Sequence, residues 1–366
     1  MNIGIVGLGL LGGSLAKAFK KANATNSYII AADTCLDTLQ RAKKEEVIDH
    51  CASGIDASFS SCAVVFICTP VAHIPGIVKQ LIRYVPKDCI ITDVGSTKYD
   101  IVQKVEHILE ENNSSAYFVG GHPMAGSEDS GYRYSKAHLF ENAYYIITPY
   151  ASTPDFIVFI IKKLVERIGA IPLIISPSYH DFATASISHV PHILAAGLVH
   201  LIKDSDGEKN LLHTLAAGGF KDITRIASSN PGLWRDICVS NKDQILKMLN
   251  RYMDILEEAR DAIENNEDDW VYEFFSDAKS YRDTFPAHSP GLLAESYVLF
   301  VDIQDNPGMI AKISTLLSDN GINIKNIGIV NHREFHGGVL QIILEKKSHM
   351  IDSMRILTSN NYRAFY

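Results

Sequence analysis

Residues 2–14 read NIGIVGLGLLGGS, and this stretch decides the fold. Apolar, strand-like sequence runs into Gly7, Gly9 and Gly12, after which SLAKAFKKA continues at helical spacing. A strand, a tight glycine turn and a helix N-terminus, in that order, are what a dinucleotide pyrophosphate requires. Gly7 permits the sharp turn, Gly9 lets backbone approach the phosphates, and Gly12 lets the helix pack closely on the strand. Leu10 and Leu11 open that helix, whose unpaired amides point at the anion. A second apolar run, 28–32, ends in Asp33, about twenty residues after the turn, where a carboxylate can accept both ribose hydroxyls of adenosine. Asp33 would repel a 2'-phosphate and no arginine follows it closely, so the expected cofactor is NAD; the plainer alternative is a solvent-facing acid at a strand end.

Working outward, residues 1–175 alternate short apolar runs with amphipathic stretches. Strands are predicted at 3–6, 28–32, 63–68, 89–93, 117–120, 144–148 and 172–175, with helices at 74–84, 101–111 and 156–168. This alternation means βαβ units and an α/β, Rossmann-like, doubly wound and mostly parallel sheet. Ligands bind beyond the carboxyl ends of such strands. Three ends stand out there: Thr69-Pro70, Gly95-Ser96-Thr97-Lys98 and Gly121-His122-Pro123-Met124. Each can be read as ordinary turn chemistry, but three together on one edge point to a shared site, with Thr69, Pro70 and Ser96 against the cofactor.

From 176 to 285 the pattern is almost wholly helical, and Ile245, Met248, Leu249, Tyr252, Leu256, Ala259 and Ile263 recur at helical steps. The stripe reads as packing, and an all-α domain in this place as a dimerisation domain. Residues 286–296 carry Pro286 and Pro290-Gly291 and read as a linker. From 297 to 366 the predicted order is strand 297–303, the turn Asp305-Asn306-Pro307-Gly308, helix 309–319, strand 322–329, strand 339–344, helix 349–359 and strand 362–365. That βαββαβ order is ferredoxin-like, and a module of this size suits regulation or assembly.

Composition narrows the function. The chain has 366 residues, 46% of them hydrophobic, and a formal net charge of -8, so no basic face is available for nucleic acid. The six cysteines form no CxxC and most lie in apolar segments, which reads as buried, reduced thiols. No signal peptide precedes the first strand and no apolar run approaches a membrane span, so a cytoplasmic protein with no membrane partner is expected.

Among fourteen histidines, His122 is the best acid–base candidate. It is expected in a loop after a strand, where a neutral imidazole near its ordinary pKa could accept a proton. Ser96, at the neighbouring strand end, could orient the ring or share the proton. In Ser188-His189-Val190-Pro191-His192 a proline interrupts a helical pattern and is expected to open it, freeing polar groups. His189 and His192 lack the companions of a metal site, and no metal is expected. In GGFKDITRIA, Arg225 can grip a carboxylate bidentately and Lys221 adds a point charge beside Asp222, with Trp234 close behind; a solvated helix start with local ion pairs is the alternative.

GLGLLGGS, DVGSTK, GGHPMAGSE, LFENAYYIITP, SHVPH, GGFKDITRIA and LWRDI, in this order, resemble the prephenate dehydrogenases of bacterial tyrosine biosynthesis. The tail, DIQDNPGMIAKISTLLSDNGINIKNI, is similar to an ACT domain. The resemblance implies NAD-dependent oxidation of prephenate with loss of carbon dioxide, giving 4-hydroxyphenylpyruvate. It implies that His122 is the hydrogen-bond acceptor and Ser96 its support. Arg225 would anchor a substrate carboxylate, His189, His192 and Lys221 would line the pocket, and Ser188, Glu128, Asp222 and Trp234 would be neighbours, some contributed across a homodimer. For the tail it implies tyrosine sensing at Asp305, Asn306, Pro307, Gly308, Asn323 and Ile324, unless the module serves assembly alone. Arogenate dehydrogenase, or an enzyme accepting both substrates, is the nearest rival; an acid such as Glu128 or Asp222 could favour an amino-acid side chain. A catalytically silent NAD- and amino-acid-binding sensor is the rival from another class.

Overall fold

The opening stretch folds as strand β1 (Asn2–Val6) and helix α1 (Leu10–Lys21) in a computed structural model that describes residues 1–22, 27–126, 129–207, 209–285, 297–304, 306–330 and 338–366. The three glycines between and within them differ in what holds them. Gly7 has φ +93°, and a Cβ there would lie 2.7 Å from the Cys68 carbonyl oxygen. A Cβ on Gly12 would lie 1.9 Å from the Gly7 oxygen, whereas nothing lies within 4 Å of one on Gly9. The first two are therefore dictated by the fold, while Gly9 leaves open space beside the helix start.

The chain divides into two compact units, Met1–Arg282 and Asp283–Tyr366. In the first, β1 joins β2 (Tyr28–Ala32), β3 (His50–Cys51), β4 (Val64–Ile67), β5 (Ile90–Asp93), β6 (Tyr117–Pro123), β7 (Tyr144–Pro149) and β8 (Ile171–Ile174) in the order β3-β2-β1-β4-β5-β6-β7-β8. The first six are parallel, β7 is antiparallel to β6, and β8 is parallel to β7. Strand order reverses between β1 and β4, so the glycine turn sits at the switch point. Helices α2 (Leu36–Lys44), α3 (Ile74–Leu81), α4 (Tyr99–Glu111) and α5 (Asp155–Arg167) cover the sheet with α1. Alternation along β4 feeds both faces: Val64 and Phe66 join one apolar cluster with Leu15 of α1 and Ile161 of α5. Val65 and Ile67 join the other, with Val78 of α3 and Val105 of α4. Each such buried side chain contributes roughly 1.5–3 kcal/mol.

One correction bears on chemistry. His122 lies inside β6, opposite Ile146 of β7, rather than in a loop beyond a strand ending at 120. Antiparallel pairing with β7 carries the strand past the parallel neighbours, and Gly120 and Gly121 make room for it. A Cβ on Gly120 would meet Thr148 Oγ1 at 2.3 Å and one on Gly121 the Asp93 carbonyl oxygen at 2.5 Å.

After β8 the first unit is helical: α6 (Pro177–Thr184), a π-turn over Ala185–His189, α7 (Val190–Ser205), α8 (Leu211–Leu215), α9 (Gly218–Thr224), α10 (Pro231–Ser240), α11 (Lys242–Glu264) and α12 (Asp268–Asp283). Pro191 opens the helix locally, as expected, without ending it. It sits in the first turn of α7, and the widened π-turn before it absorbs the ring. The continuous helix Pro177–Ser205 is long and apolar enough, by length and composition, to cross a membrane, which corrects the reading that no run approaches that length. Only 22% of its most apolar window is buried. Ile187, Leu201, Leu215, Val239 and Ile263 are likewise 60–73% exposed, so this helical layer leaves much apolar surface uncovered.

The second unit runs β9 (Tyr297–Ile303), α13 (Met309–Asp319), β10 (Ile324–Val330), β11 (Gly338–Leu344), α14 (Lys347–Ser359) and β12 (Ala364–Phe365), an antiparallel sheet of order β10-β11-β9-β12. Leu299, Leu317, Leu340 and Leu357 centre its core. Asp305 and the linker expected at 286–296 lie outside the described residues. All six cysteines are free. Cys62 and Cys89 are buried, which pushes each thiol up to about 12, while Cys35 is exposed and the others half-buried, fewer buried than their neighbours suggested.

Candidate active site

At the start of α1 no acidic side chain occupies the first turn and no side chain among the described residues caps the amides, so the positive end of the helix is open to an anion. Asp33 turns toward it from the end of β2: its carboxylate accepts the Leu8 N–H at 2.6 Å and the Cys35 N–H at 2.8 Å. Each oxygen keeps a lone pair beyond these bonds. Thr69 packs its methyl against Gly7, and its buried hydroxyl has no partner among the described residues; Pro70 follows, exposed, at the end of β4. Leu10 and Leu11 are half-buried. The open space at Gly9, the orphaned Thr69 hydroxyl and the uncapped helix fit a dinucleotide.

Where the carboxyl edge of the sheet meets the helices, a chain of hydrogen bonds begins at His122. Its Nδ1 lies 2.8 Å from His180 Nε2, and His180 Nδ1 lies 2.7 Å from Asp181 Oδ1. Asp181, 2% exposed, also accepts the Lys98 N–H at 2.7 Å and the Tyr99 N–H at 2.9 Å. The carboxylate fixes the tautomers. His180 donates from Nδ1 to Asp181, so its Nε2 accepts from His122 Nδ1, and His122 is left with an unprotonated Nε2. Burial, then the His180 ring and the Lys98 and His189 side chains, holds His122 well below the ordinary histidine value. Burial likewise lowers His180, against the pull of Asp181. The site thus presents a neutral imidazole whose Nε2 has no donor among the described residues. Ser96, half-buried in the bend before α4, is not the ring's partner as expected; His180 takes that place.

The chain extends through the helices. Asn241 donates from Nδ2 to the Asp181 carbonyl at 2.8 Å and lies 3.1 Å from His189 Nδ1. His189, 2% exposed, is lowered by burial to about 4. Trp234 stacks on His192 at 3.7 Å between ring centres and meets His189 edge-on at 6.0 Å. His192 donates from Nδ1 to the Ser188 carbonyl at 2.9 Å, closing a backbone acceptor near the π-turn with a side chain. Arg225 stands in the short 3-10 turn after α9, which packs against α7; burial lowers the His192 pKa, the Ser188 carbonyl opposes this, and the Arg225 charge adds to the lowering. The structure therefore gathers His122, His189, His192, Trp234, Arg225 and the Ser188 carbonyl. Lys221 and Asp222 are exposed on α9 and join this group through no hydrogen bond or ion pair among the described residues. Glu128 lies outside the described residues.

Sequence reasoning missed His180, Asp181, Asn241 and Asp93, and it quoted Lys98 at a strand end without giving it a role. The signal for the first pair was a His-Asp step in PSYHDFAT, a base next to the helix's one charged residue. A cavity of about 990 Å³ opens beside Tyr99, Arg235 and Ser240. It shares Asp181 and Asn241 with the histidine chain but not His122, Arg225 or the glycine turn, so the chemistry is not centred there. Among the described residues no group of three or more His, Cys, Asp or Glu side chains could hold a metal ion. In the second unit, Gly308 (φ +87°) caps α13, Asn306 Nδ2 donates to Gln304 Oε1 at 3.1 Å, Pro307 stands between them, and Asn323 and Ile324 lead into β10.

Residues 15–173 match the family model for the prephenate dehydrogenase nucleotide-binding domain, and residues 176–277 that for the prephenate dehydrogenase dimerisation domain. The prephenate dehydrogenase of Bacillus subtilis is 40% identical over 339 residues, 92% of this chain and 90% of that protein. The cyclohexadienyl dehydrogenase of Zymomonas mobilis is 30% identical over 282 residues, 77% of this chain and 94% of that protein. The solved structure of A. aeolicus prephenate dehydrogenase, in complex with hydroxyphenyl propionate and NAD+, superposes with a TM-score of 0.73 at 32% identity, covering 78% of this chain and 98% of that one.

Proposed function

Because the chain belongs to the prephenate dehydrogenase family and is an NAD-dependent oxidoreductase, we propose that it converts prephenate to 4-hydroxyphenylpyruvate and carbon dioxide, with His122 as the acceptor for the ring hydroxyl. The observation that carries this reading is the unprotonated Nε2 that the Asp181–His180–His122 chain leaves at the carboxyl edge of the sheet. Bound NAD supplies the acceptor for the C4 hydride, while the C1 carboxylate departs with its bonding pair entering the ring. Aromatisation drives the reaction, so the protein's share is alignment and charge. His122 Nε2 accepts the C4 hydroxyl hydrogen bond as hydride leaves, draws the proton, and returns it to the phenol oxygen. Arg225 holds a substrate carboxylate, His189, His192, Trp234 and Ser188 line the pocket, and Ser96 completes the hydroxyl's surroundings. Lys221, Asp222 and Glu128 are assigned to the same pocket, some of whose residues come from the second copy of the dimer. Gly7, Gly9, Leu10, Leu11, Gly12, Asp33, Thr69 and Pro70 hold the dinucleotide.

On this reading residues 1–175 are the NAD-binding domain, 176–285 the substrate and dimerisation domain, 286–296 a linker and 297–366 an ACT domain, in a cytoplasmic homodimer. The exposed apolar surface of the helical layer supports the dimer. The βαββαβ order and antiparallel sheet of the second unit support the ACT assignment, with tyrosine the effector at Asp305 to Gly308, Asn323 and Ile324. The Z. mobilis relative favours a second reading, acceptance of arogenate as well. Purified protein with NAD and either prephenate or arogenate, followed by NADH absorbance with and without tyrosine, tests these together. NADH from prephenate, suppressed by tyrosine, is expected; NADH from neither substrate contradicts the reading.

A further inference from the structure

Asp93, the last residue of β5, is wholly buried, and both its oxygens are engaged. Oδ2 accepts the Gly95 N–H at 2.8 Å and the ammonium of Lys98, itself wholly buried. Oδ1 accepts the Gly121 N–H at 3.0 Å. One carboxylate thus grips the turn after β5 and the interior of β6, one residue before Ser96 and one residue before His122. The fit is close: a Cβ on Gly95 would lie 2.9 Å from Asp93 Oδ2, and one on Gly120 would lie 3.1 Å from Lys98 Cδ. The Lys98 backbone N–H bonds Asp181, so the same residue ties the ion pair to the far end of the histidine chain.

Stability does not account for this arrangement. A buried ion pair loses most of its Coulomb attraction to desolvation, and replacement by neutral groups of similar volume is often neutral or stabilising. We infer that Asp93, with Lys98 as its buried counter-ion, is a positioning residue that holds Ser96 and His122 in register for the dehydrogenation. The inference rests on the reading of His122 as the acceptor. Lys98 has a second effect through charge: with the rings of His180 and His189, it is one of the groups facing His122 that disfavour the imidazolium.

The test compares Lys98→Met and the double variant Asp93→Asn/Lys98→Met with the full-length parent, with His122→Asn in the same assay. The double variant is expected to fold with a near-parental Tm and to bind NADH within about threefold of the parent, as the glycine turn is untouched. Its kcat should fall about 10²-fold, the scale of a small misplacement of reacting groups. In Lys98→Met the acid limb of the kcat profile should move to higher pH, because His122 protonates more readily without the facing cation; a purely structural role would leave the limb in place. Failure of the double variant to fold would assign the pair to stability and overturn the inference. So would a parental kcat in the double variant, or an unmoved acid limb in Lys98→Met. If His122→Asn alone kept its activity, the acceptor reading would fall instead, which separates the two.

Discussion

His122 Nδ1 lies 2.8 Å from His180 Nε2, and this contact, set by Asp181 behind it, decides which nitrogen of His122 faces the reaction. Replacing His180 with Asn keeps a polar group but frees the His122 ring to choose its tautomer. We expect kcat for prephenate to fall about 10–100-fold, by analogy with other partners that orient a reactive histidine, with KM changed little. Steady-state kinetics check this; an unchanged kcat would show that the ring is oriented by something else.

Acid stability follows from the same rings. His122, His180 and His189 all have native pKa values below the unfolded value, so the native state binds fewer protons. Their contribution is intact above about pH 6.5 and is lost as pH falls toward the native values. For His189, lowered from 6.5 to about 4, the full span is about 3 kcal/mol. Tm should therefore be flat near pH 7–8 and fall between pH 6.5 and 4. His189→Asn should flatten that fall, as thermal melts across pH would register.

The glycine turn offers a paired test. Gly12→Ala puts a methyl 1.9 Å from the Gly7 oxygen and should lower Tm through overpacking of about 1–3 kcal/mol or more. Gly9→Ala meets no atom within 4 Å, so Tm should hold while NAD affinity drops because the methyl takes the pyrophosphate's space. Equal effects on Tm would contradict the separate roles.

Arg225 lies in the turn packed against α7, the helix that carries His192, and is assigned to substrate anchoring. Arg225→Ala should raise KM for prephenate about 10–100-fold, the worth of a charged hydrogen bond, while kcat stays within a few-fold. A loss confined to kcat would move Arg225 to the chemical step.

Much of this was legible locally. Gly7, Gly9, Gly12 and Asp33 are marked because turn, helix start and strand end are near in sequence, and the unbroken apolar run of β4 shows a sheet buried on both faces. What sequence could not show depends on distant pairing. The β6–β7 register draws His122 into a strand, and the reversed edge strands follow from that. His180 becomes its partner only when α6 lies across the sheet edge, and Lys98, in a run that looks like a polar turn, is wholly buried because Asp93 waits beneath it. Pro191 was legible for a local reason, since its ring cannot sit in a regular helix and the turn before it widens to a π-turn.

The central claim is that His122 acts as acceptor, and kcat of His122→Asn with prephenate and saturating NAD tests it most directly. The account predicts a fall of about 10²–10⁴-fold, with KM for prephenate little changed. A kcat near that of the parent would contradict it.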